Sequence, residues 1–387
     1  MTFKVKTKGQ IEGENLQAPK LRFKEFKEEW KKEKIGNNIY EIIEKTNDTI
    51  KYPLWSLTLE DGVTPKTERY ERGFLVKKED NFKIVHFNNF VYNPMNLRFG
   101  AIAYHKNNTD ISVSGYYNIF SLNNLNTIGF WDNYFKSPIM IKRYNNIATG
   151  SLVEKKRVHY SQFTELIVPI PDIEEQIKIS KLFVQLDKKI QLQKERIEAL
   201  KIYKKGLMAY LFNNSSNKYI IFLKNICTIR KGQQLNKENM SLFGNYYVLN
   251  GGSELSGYTN NFNVQENTIS ISEGGNSCGF VNFNIEKFWA GGHCYILDNI
   301  SQNINIYYLF HLLKYNQEKI MNLRVGSGLP NIQKKSLENF KLLIDDSQTQ
   351  YYIYKTLNSL DCKIDLESNK FKNLNLLKKS LLQQMFI

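Results

Sequence analysis

The chain has 387 residues, 42% of them apolar, which is enough for more than one domain with its own core and too much for a disordered chain. A formal net charge of +15 points to a polyanionic partner rather than to solubility alone. Cys227, Cys278, Cys294 and Cys362 show no CxxC spacing, and no apolar run has the length of a leader or a bilayer span. A disulfide scaffold and a membrane partner are therefore excluded, and a soluble cytoplasmic protein is expected.

Residues 1–20 are polar and read as a loose tail. Residues 21–171 form a first domain, opened by the charged, amphipathic stretch LRFKEFKEEWKKEKIGNNIYEII. Its later runs, such as FKIVHFNNFVY and SGYYNIFSL, are short, aromatic and β-branched, and Asn and Gly interrupt them; they predict strands and turns with a few helical pieces. IVPIPDIEEQ then announces a helix. Pro169 and Pro171 suit its approach, Asp172 its N-cap, and Glu174 and Glu175 the positive end of its dipole. The helical pattern covers 172–212. NNSSNK, residues 213–218, reads as a linker, 219–344 as a second strand-rich domain, and 345–387 as a second long helix.

The two helical segments are copies. KKGLMAYLF ends at Phe212 and KKSLLQQMF at Phe386; the pairs Gln176 and Gln350, Asp187 and Asp361, and Lys204 and Lys378 keep the same spacing of 174. Alternating steps of four and three select Ile179, Phe183, Leu186, Ile190, Gln193, Ile197, Leu200, Lys204, Leu207 and Leu211 in the first. The same steps select Ile353, Leu357, Leu360, Ile364, Glu367, Phe371, Leu374, Lys378, Leu381 and Met385 in the second. Eight of ten positions are apolar in each copy, and the exceptions coincide. A sustained 3.5-residue repeat is a coiled-coil seam, and its polar positions fix register at some cost in stability. The expected fold class is α+β: two strand-rich domains with short helices, separated by two long helices in an antiparallel coiled coil. Each helix would be a rod of roughly 60 Å. Such a tandem repeat would acquire a pseudo-two-fold axis suited to two half-sites on duplex DNA, with the rod setting their gap. The segments outside the helices hold +11 of the net charge.

This pattern resembles the specificity subunit of type I restriction-modification systems. The residues that carry the resemblance are IVPIPDIEEQIKISKLFVQLDKKI, LKIYKKGLMAYLF and LKKSLLQQMF, with PKLRFKEF, NPMNLRFGAIAY and VGSGLPNIQKKSLENF. It covers nearly the whole chain. The second copy departs from it: IDDSQTQ lacks both prolines and the Glu before Gln350, so the start of that helix is less clearly marked. The resemblance implies a non-catalytic subunit with two target recognition domains, each reading one half of a bipartite site on double-stranded DNA. It also implies helices that hold two methyltransferase subunits, which bind S-adenosylmethionine and methylate adenine, and restriction subunits that use ATP and Mg. No cofactor is expected in this chain. The alternatives are a stand-alone DNA-binding regulator and a coiled-coil interaction protein without nucleic acid.

Four strings have some of the residues of a catalytic or metal site and fall short of the whole. Tyr92-Asn93-Pro94-Met95 lacks the second proline and the aromatic of an adenine methyltransferase. EGGNSCGF lacks the Lys-Ser/Thr of a phosphate loop, and its glycines suit a tight turn. Asp172 and Asp187 are separated by about 23 Å along a helix, too far to share a metal. Cys278, His293 and Cys294 lack a fourth zinc ligand. No catalytic and no metal-binding residue is expected.

Candidate DNA contacts are the clustered cations and amides. In the first domain they are Arg69, Arg72, Lys77, Lys78, Arg98, Lys142, Arg143, Lys155, Lys156 and Arg157. In the second they are Arg230, Lys231, Arg324, Lys334 and Lys335 for phosphates, with Gln233, Asn250, Asn276 and Asn331 as base readers. Lys and Arg supply salt-dependent affinity, and Asn and Gln read base edges through paired hydrogen bonds. Tyr116, Tyr117, Tyr258 and Phe262 are read as core.

Overall fold

Short β-branched and aromatic runs, cut by Asn and Gly before they reach helical length, make sheets in each half of the chain. The computed structural model describes residues 3–5, 18–65, 81–152, 155–215, 217–326 and 328–387. Two compact units result. One takes the chain up to Lys194 and again from Lys370 to Ile387; the other is Glu195–Asn369.

In the first unit a four-stranded antiparallel sheet has the order Ile102–Tyr104, Phe90–Tyr92, Asn118–Leu122, Ile39–Glu41. Ile111–Ser114, Phe82–Val85 and Lys45–Thr46 form a three-stranded sheet, and Lys31–Lys34 pairs with Ile167–Ile170. Short helices α1 (Ile128–Phe135), α2 (Pro138–Ile147) and α3 (Tyr160–Thr164) cover an aromatic core that includes Trp30, Phe90, Phe120, Phe130, Trp131 and Phe163. Phe3–Val5 pairs with Leu21–Phe23, so part of the segment expected to be loose is a strand.

Helix α4 (Ile173–Asn214) begins after Asp172, whose Oδ1 accepts from Glu175 N at 3.0 Å. Gln176 Nε2 donates to Pro171 O at 2.9 Å. Glu175 is fully buried; its carboxylate accepts from Arg22 Nε (2.8 Å), Arg22 Nη2 (2.7 Å) and Trp30 Nε1 (3.2 Å).

The second unit repeats this plan. Its four-stranded sheet runs Val281–Asn284, Thr268–Ser272, Cys294–Asp298, Thr228–Lys231, and Lys218–Phe222 pairs with Lys341–Asp345. Gly257–Thr259, Tyr246–Leu249 and Phe288–Ala290 form a smaller sheet in which the last pairing is parallel. Helices α5 (Ile306–Tyr315), α6 (Gln317–Met321) and α7 (Lys334–Glu338) precede α8 (Ser347–Gln384). Despite the missing prolines and Glu, α8 starts 174 residues after α4. Asp346 Oδ1 accepts from Thr349 N (3.0 Å), and Gln350 Nε2 donates to Asp345 O (2.8 Å). The one acid also accepts from Gln348 N at 3.0 Å, so it satisfies two of the four orphan donors of the helix start without the prolines.

The helices run antiparallel within each unit. In the first, Phe183 stacks on Phe386 at 5.8 Å and Lys378 Nζ meets Asp187 Oδ1 at 2.6 Å. In the second, Arg196 meets Glu367 at 3.4 Å and Lys204 pairs with Asp361. The seam positions are buried in Ile179, Phe183, Leu186, Ile197, Ile353, Leu357, Leu360, Leu381 and Met385, and half-buried in Ile190, Leu200, Leu207, Leu211, Ile364, Phe371 and Leu374.

Candidate nucleic-acid interface

Loops held by a rigid sheet commonly carry binding residues, and the second unit gathers three such turns. Gly251 follows Tyr246–Leu249, Gly274 and Gly275 follow Thr268–Ser272, and Asn331 closes a loop back onto Val325 by a backbone pair at 2.8 and 3.0 Å. Gly251 has φ +79°, and a Cβ there would stand 2.6 Å from His293 O, so only glycine lets these backbones meet. The turns enclose a cavity of about 520 Å³ lined by Lys231, Asn250, Glu273, Asn276, His293 and Asn331 among others.

Four residues singled out in the sequence, Lys231, Asn250, Asn276 and Asn331, thus come together. The remaining candidates of this unit do not line this cavity. Arg230 is tied to Asp298 on the neighbouring strand and donates to Asn263 O at 3.2 Å. Gln233 is exposed, and its carbonyl accepts from Trp289 Nε1 at 2.9 Å. Arg324 and Lys335 are exposed, and Lys334 meets Glu338 at 3.5 Å.

In the first unit, Arg69, Arg72, Lys77 and Lys78 lie outside the described residues. Arg98 is not an exposed contact: it is 8% exposed in a 3₁₀ turn, its guanidinium lies over the Phe99 ring, and Asn145 Nδ2 donates to its carbonyl at 3.0 Å. Lys142 and Arg143 ride on α2, where Arg143 Nη1 donates to Ile167 O at 3.3 Å. Lys155 and Arg157 are exposed and Lys156 half-buried beside the Thr149–Arg157 bridge. Arg157 and Asn331 stand 174 residues apart, each in the loop before the last short helix of its unit. The aromatic expectation needs correction at two positions. Tyr116, in a turn between strands, is 42% exposed, and Phe262 is 37% exposed with Lys287 over its ring.

Glu273 and His293 are not among the DNA-contact candidates, although both fall in strings read for other chemistry. Lys231 Nζ and Tyr295 OH donate to Glu273 Oε1 at 2.8 and 3.1 Å, whereas Oε2 has no hydrogen-bond partner; His293 Nδ1 lies 3.5 Å from it. The rejected catalytic strings have structural roles. Asn93 Oδ1 accepts from Met95 N (3.0 Å) and Asn96 N (3.2 Å) in a turn, Asp172 caps α4, and Asp187 is held by Lys378. Burial pushes the thiols of Cys227 and Cys294 up to about 12 and about 11. Among the described residues no group of three His, Cys, Asp or Glu could hold a metal, and no helix is long and apolar enough to cross a membrane.

The long helices present a second surface. Away from the seam, Leu192 and Leu366, Ile202 and Leu376, and Tyr203 and Leu377 are pairs 174 residues apart, and all six are exposed. Leu192, Leu376 and Leu377 belong to the first unit; Leu366, Ile202 and Tyr203 to the second.

Residues 27–201 and 216–376 match the type I restriction modification DNA specificity domain. A Mycoplasma pneumoniae protein carrying the name of a type I specificity subunit is 33% identical over 155 residues, 40% of this chain and 41% of that protein. The matched part is thus about two-fifths of that relative's length. A Methanocaldococcus jannaschii protein named as a specificity subunit of the restriction enzyme MjaX is 23% identical over 411 aligned positions, 94% of both chains. The crystal structure of a type I restriction-modification system S subunit from Mycoplasma genitalium shares the fold with TM-score 0.67 at 18% identity, covering 96% of this chain and 99% of that one.

Proposed function

The chain belongs to the type I restriction-modification DNA specificity family, and from that premise we propose that it is the DNA-reading subunit of such a complex. In this reading each unit carries one target recognition domain, and each domain reads one half of a bipartite site on double-stranded DNA. The observation that carries it is the duplication: the two units share the strand order of their four-stranded sheets and one capped helix start, yet differ in the smaller sheet and in turn residues such as Pro94 and Glu273. A common frame with unlike turns is what two readers of unlike half-sites need.

The helices serve assembly. Three exposed apolar pairs at one spacing give each unit three apolar side chains at matching helix positions, which suits two copies of a single partner. We assign those copies to methyltransferase subunits, which supply S-adenosylmethionine and adenine methylation. Restriction subunits with ATP and Mg join the same complex. The chain itself is non-catalytic in this reading, because its sequence lacks the motifs that methyl transfer and phosphate binding require. The +11 charge outside the helices supplies salt-dependent affinity for phosphates.

The test is an exchange. Residues 219–344 are replaced by the corresponding segment of another family member, and modified adenines are sequenced in cells that also carry the methyltransferase. One half of the methylated motif should change and the other persist. A motif that is unchanged, or altered in both halves, would overturn the reading.

A further inference from the structure

Glu273 stands immediately after the strand Thr268–Ser272, at the wall of the cavity described above, and is 9% exposed. One carboxylate oxygen is used within the protein, by Lys231 and Tyr295. The other, Oε2, is buried without a hydrogen-bond partner. A buried acceptor left unmade costs free energy, more so when charged, and calls for a reason.

His293 Nδ1 lies 3.5 Å from Oε2, an ion-pair neighbour only when that histidine is protonated, and the turn itself does not require the acid. The first unit builds the same turn with a proline. Ile332 N donates to Glu273 O at 2.8 Å, and Val158 N donates to Pro94 O at 2.9 Å. The preceding residues match as well: Ser272 N donates to Phe280 O at 2.9 Å and Asn93 N to Ala101 O at 3.2 Å. Only backbone groups are needed to close this turn, and Pro94 closes it without any carboxylate. The acid is therefore a property of one unit and not of the frame.

Its sign narrows the ligand. A carboxylate facing duplex DNA repels phosphates, and it repels the acceptor atoms that guanine and thymine present in the major groove. It is favoured where a base offers a donor, and the exocyclic amino groups of cytosine (N4) and adenine (N6) are those donors. The surroundings fit an edge of this kind. Asn250, Asn276 and Asn331, residue types that pair with base edges, line the same space. We propose that Glu273 is a specificity-determining residue, whose Oε2 accepts a hydrogen bond from the exocyclic amino group of one base in the half-site read by the second unit. Lys231 and Tyr295 hold the carboxylate by its other oxygen, and the exposed His293 side chain, 3.5 Å from Oε2, swings aside to let the base reach it. This inference rests on the DNA-reading function proposed above.

The experiment uses the full chain with its methyltransferase partner, as wild type, Glu273→Ala and Glu273→Gln. Glu273→Gln keeps size and shape, so it decides the matter if the alanine variant does not fold. Methylated motifs are mapped in cells, and thermal melting checks each fold. Both variants should lose discrimination at one position of one half-site by about tenfold or more, the scale of a good base contact, and leave the other half-site as it was. In vitro, a duplex whose amino group at that position is deleted, with purine for adenine or 2-pyrimidinone for cytosine, should bind wild type about tenfold more weakly than the parent duplex. It should bind Glu273→Ala equally well. The responding substitution identifies the base. Unchanged motifs in folded variants, or an equal loss on amino deletion in wild type and variant, overturn the inference while leaving the function intact. A wild-type complex that modifies no bipartite motif overturns both.

Discussion

Lys378 donates to Asp187 at 2.6 Å, and the residues 174 positions away from each, Lys204 and Asp361, make the same pair in the other unit. The lysine of each helix meets the aspartate of the opposite one. A duplicated helix can satisfy this only by pairing with its copy head to tail, so the ion pairs and the antiparallel direction imply each other. Both lysines occupy seam positions, which are half-buried here, and their stems lie along apolar neighbours while the ammonium reaches a carboxylate.

Reversing one charge should therefore be costly, and reversing both should not. Asp361→Lys places two ammonium groups together and should destabilise the second unit by about 1–3 kcal/mol, between the values for exposed and buried pairs. Lys204→Asp should cost a similar amount. The double variant should recover most of the loss. Urea unfolding of the four proteins gives the coupling energy directly, and a coupling near zero would show that the seam sets direction without the pair.

Arg22 and Glu175 form the most deeply buried ion pair described above, with Trp30 as a third partner. Arg22→Met leaves a fully buried carboxylate with only the indole N–H and should cost about 3–5 kcal/mol. Arg22→Met with Glu175→Leu should cost less than the single change, because no charge is then left unpaired. The comparison is made by denaturant unfolding, and a double variant weaker than the single one would refute it.

His311 is 2% exposed, and burial, assisted by the charge of Lys204, holds its imidazole down to about 3. An unfolded histidine titrates near about 6.5. Between these values the unfolded chain binds a proton that the folded chain refuses, so this residue removes stability as pH falls below 6.5. At pH 5 the loss is about 2 kcal/mol relative to neutral pH. His311→Gln should reduce the drop in unfolding free energy between pH 7.5 and pH 5 by that amount. Equal drops in the two proteins would mean that the folded histidine is protonated, held by Asp361 at 3.6 Å.

What could be read from the chain was whatever repeats. The seam follows from spacing alone, and so does the likeness of its two copies. The cap at Asp346 was harder to see, because the prolines and Glu that mark α4 are absent while the one acid that matters remains. Burial was not legible: Arg98 looks like Lys142 in a sequence, but it is buried in a 3₁₀ turn with its guanidinium over the Phe99 ring. Partnership was not legible either. Arg230 reaches Asp298 only because their two strands pair, with Thr228 opposite Asp298. Glu273 and His293 are isolated residues in unlike segments, and only the meeting of three turns gives them a common space.

Phosphate contacts and base contacts should separate under salt. Each phosphate neutralised adds about 0.9 to the negative slope of log K against log salt on B-form DNA. Lys335→Gln removes an exposed cation on α7, the helix that follows the Asn331 loop in the chain. It should weaken binding alike on cognate and unrelated duplexes and lower the slope by about 0.9. Asn331→Ala removes no charge. The Asn331 backbone is already engaged with Val325, so the change falls on the side chain that lines the cavity. It should leave the slope unchanged and cost about 1–3 kcal/mol of discrimination at one base pair. The two variants are titrated on both duplexes at several salt concentrations. If Lys335→Gln altered sequence preference and Asn331→Ala altered the slope, the two roles would be reversed. The cavity would then be a phosphate site with Lys231 as its cation, and Glu273 would serve to hold that lysine rather than to read a base.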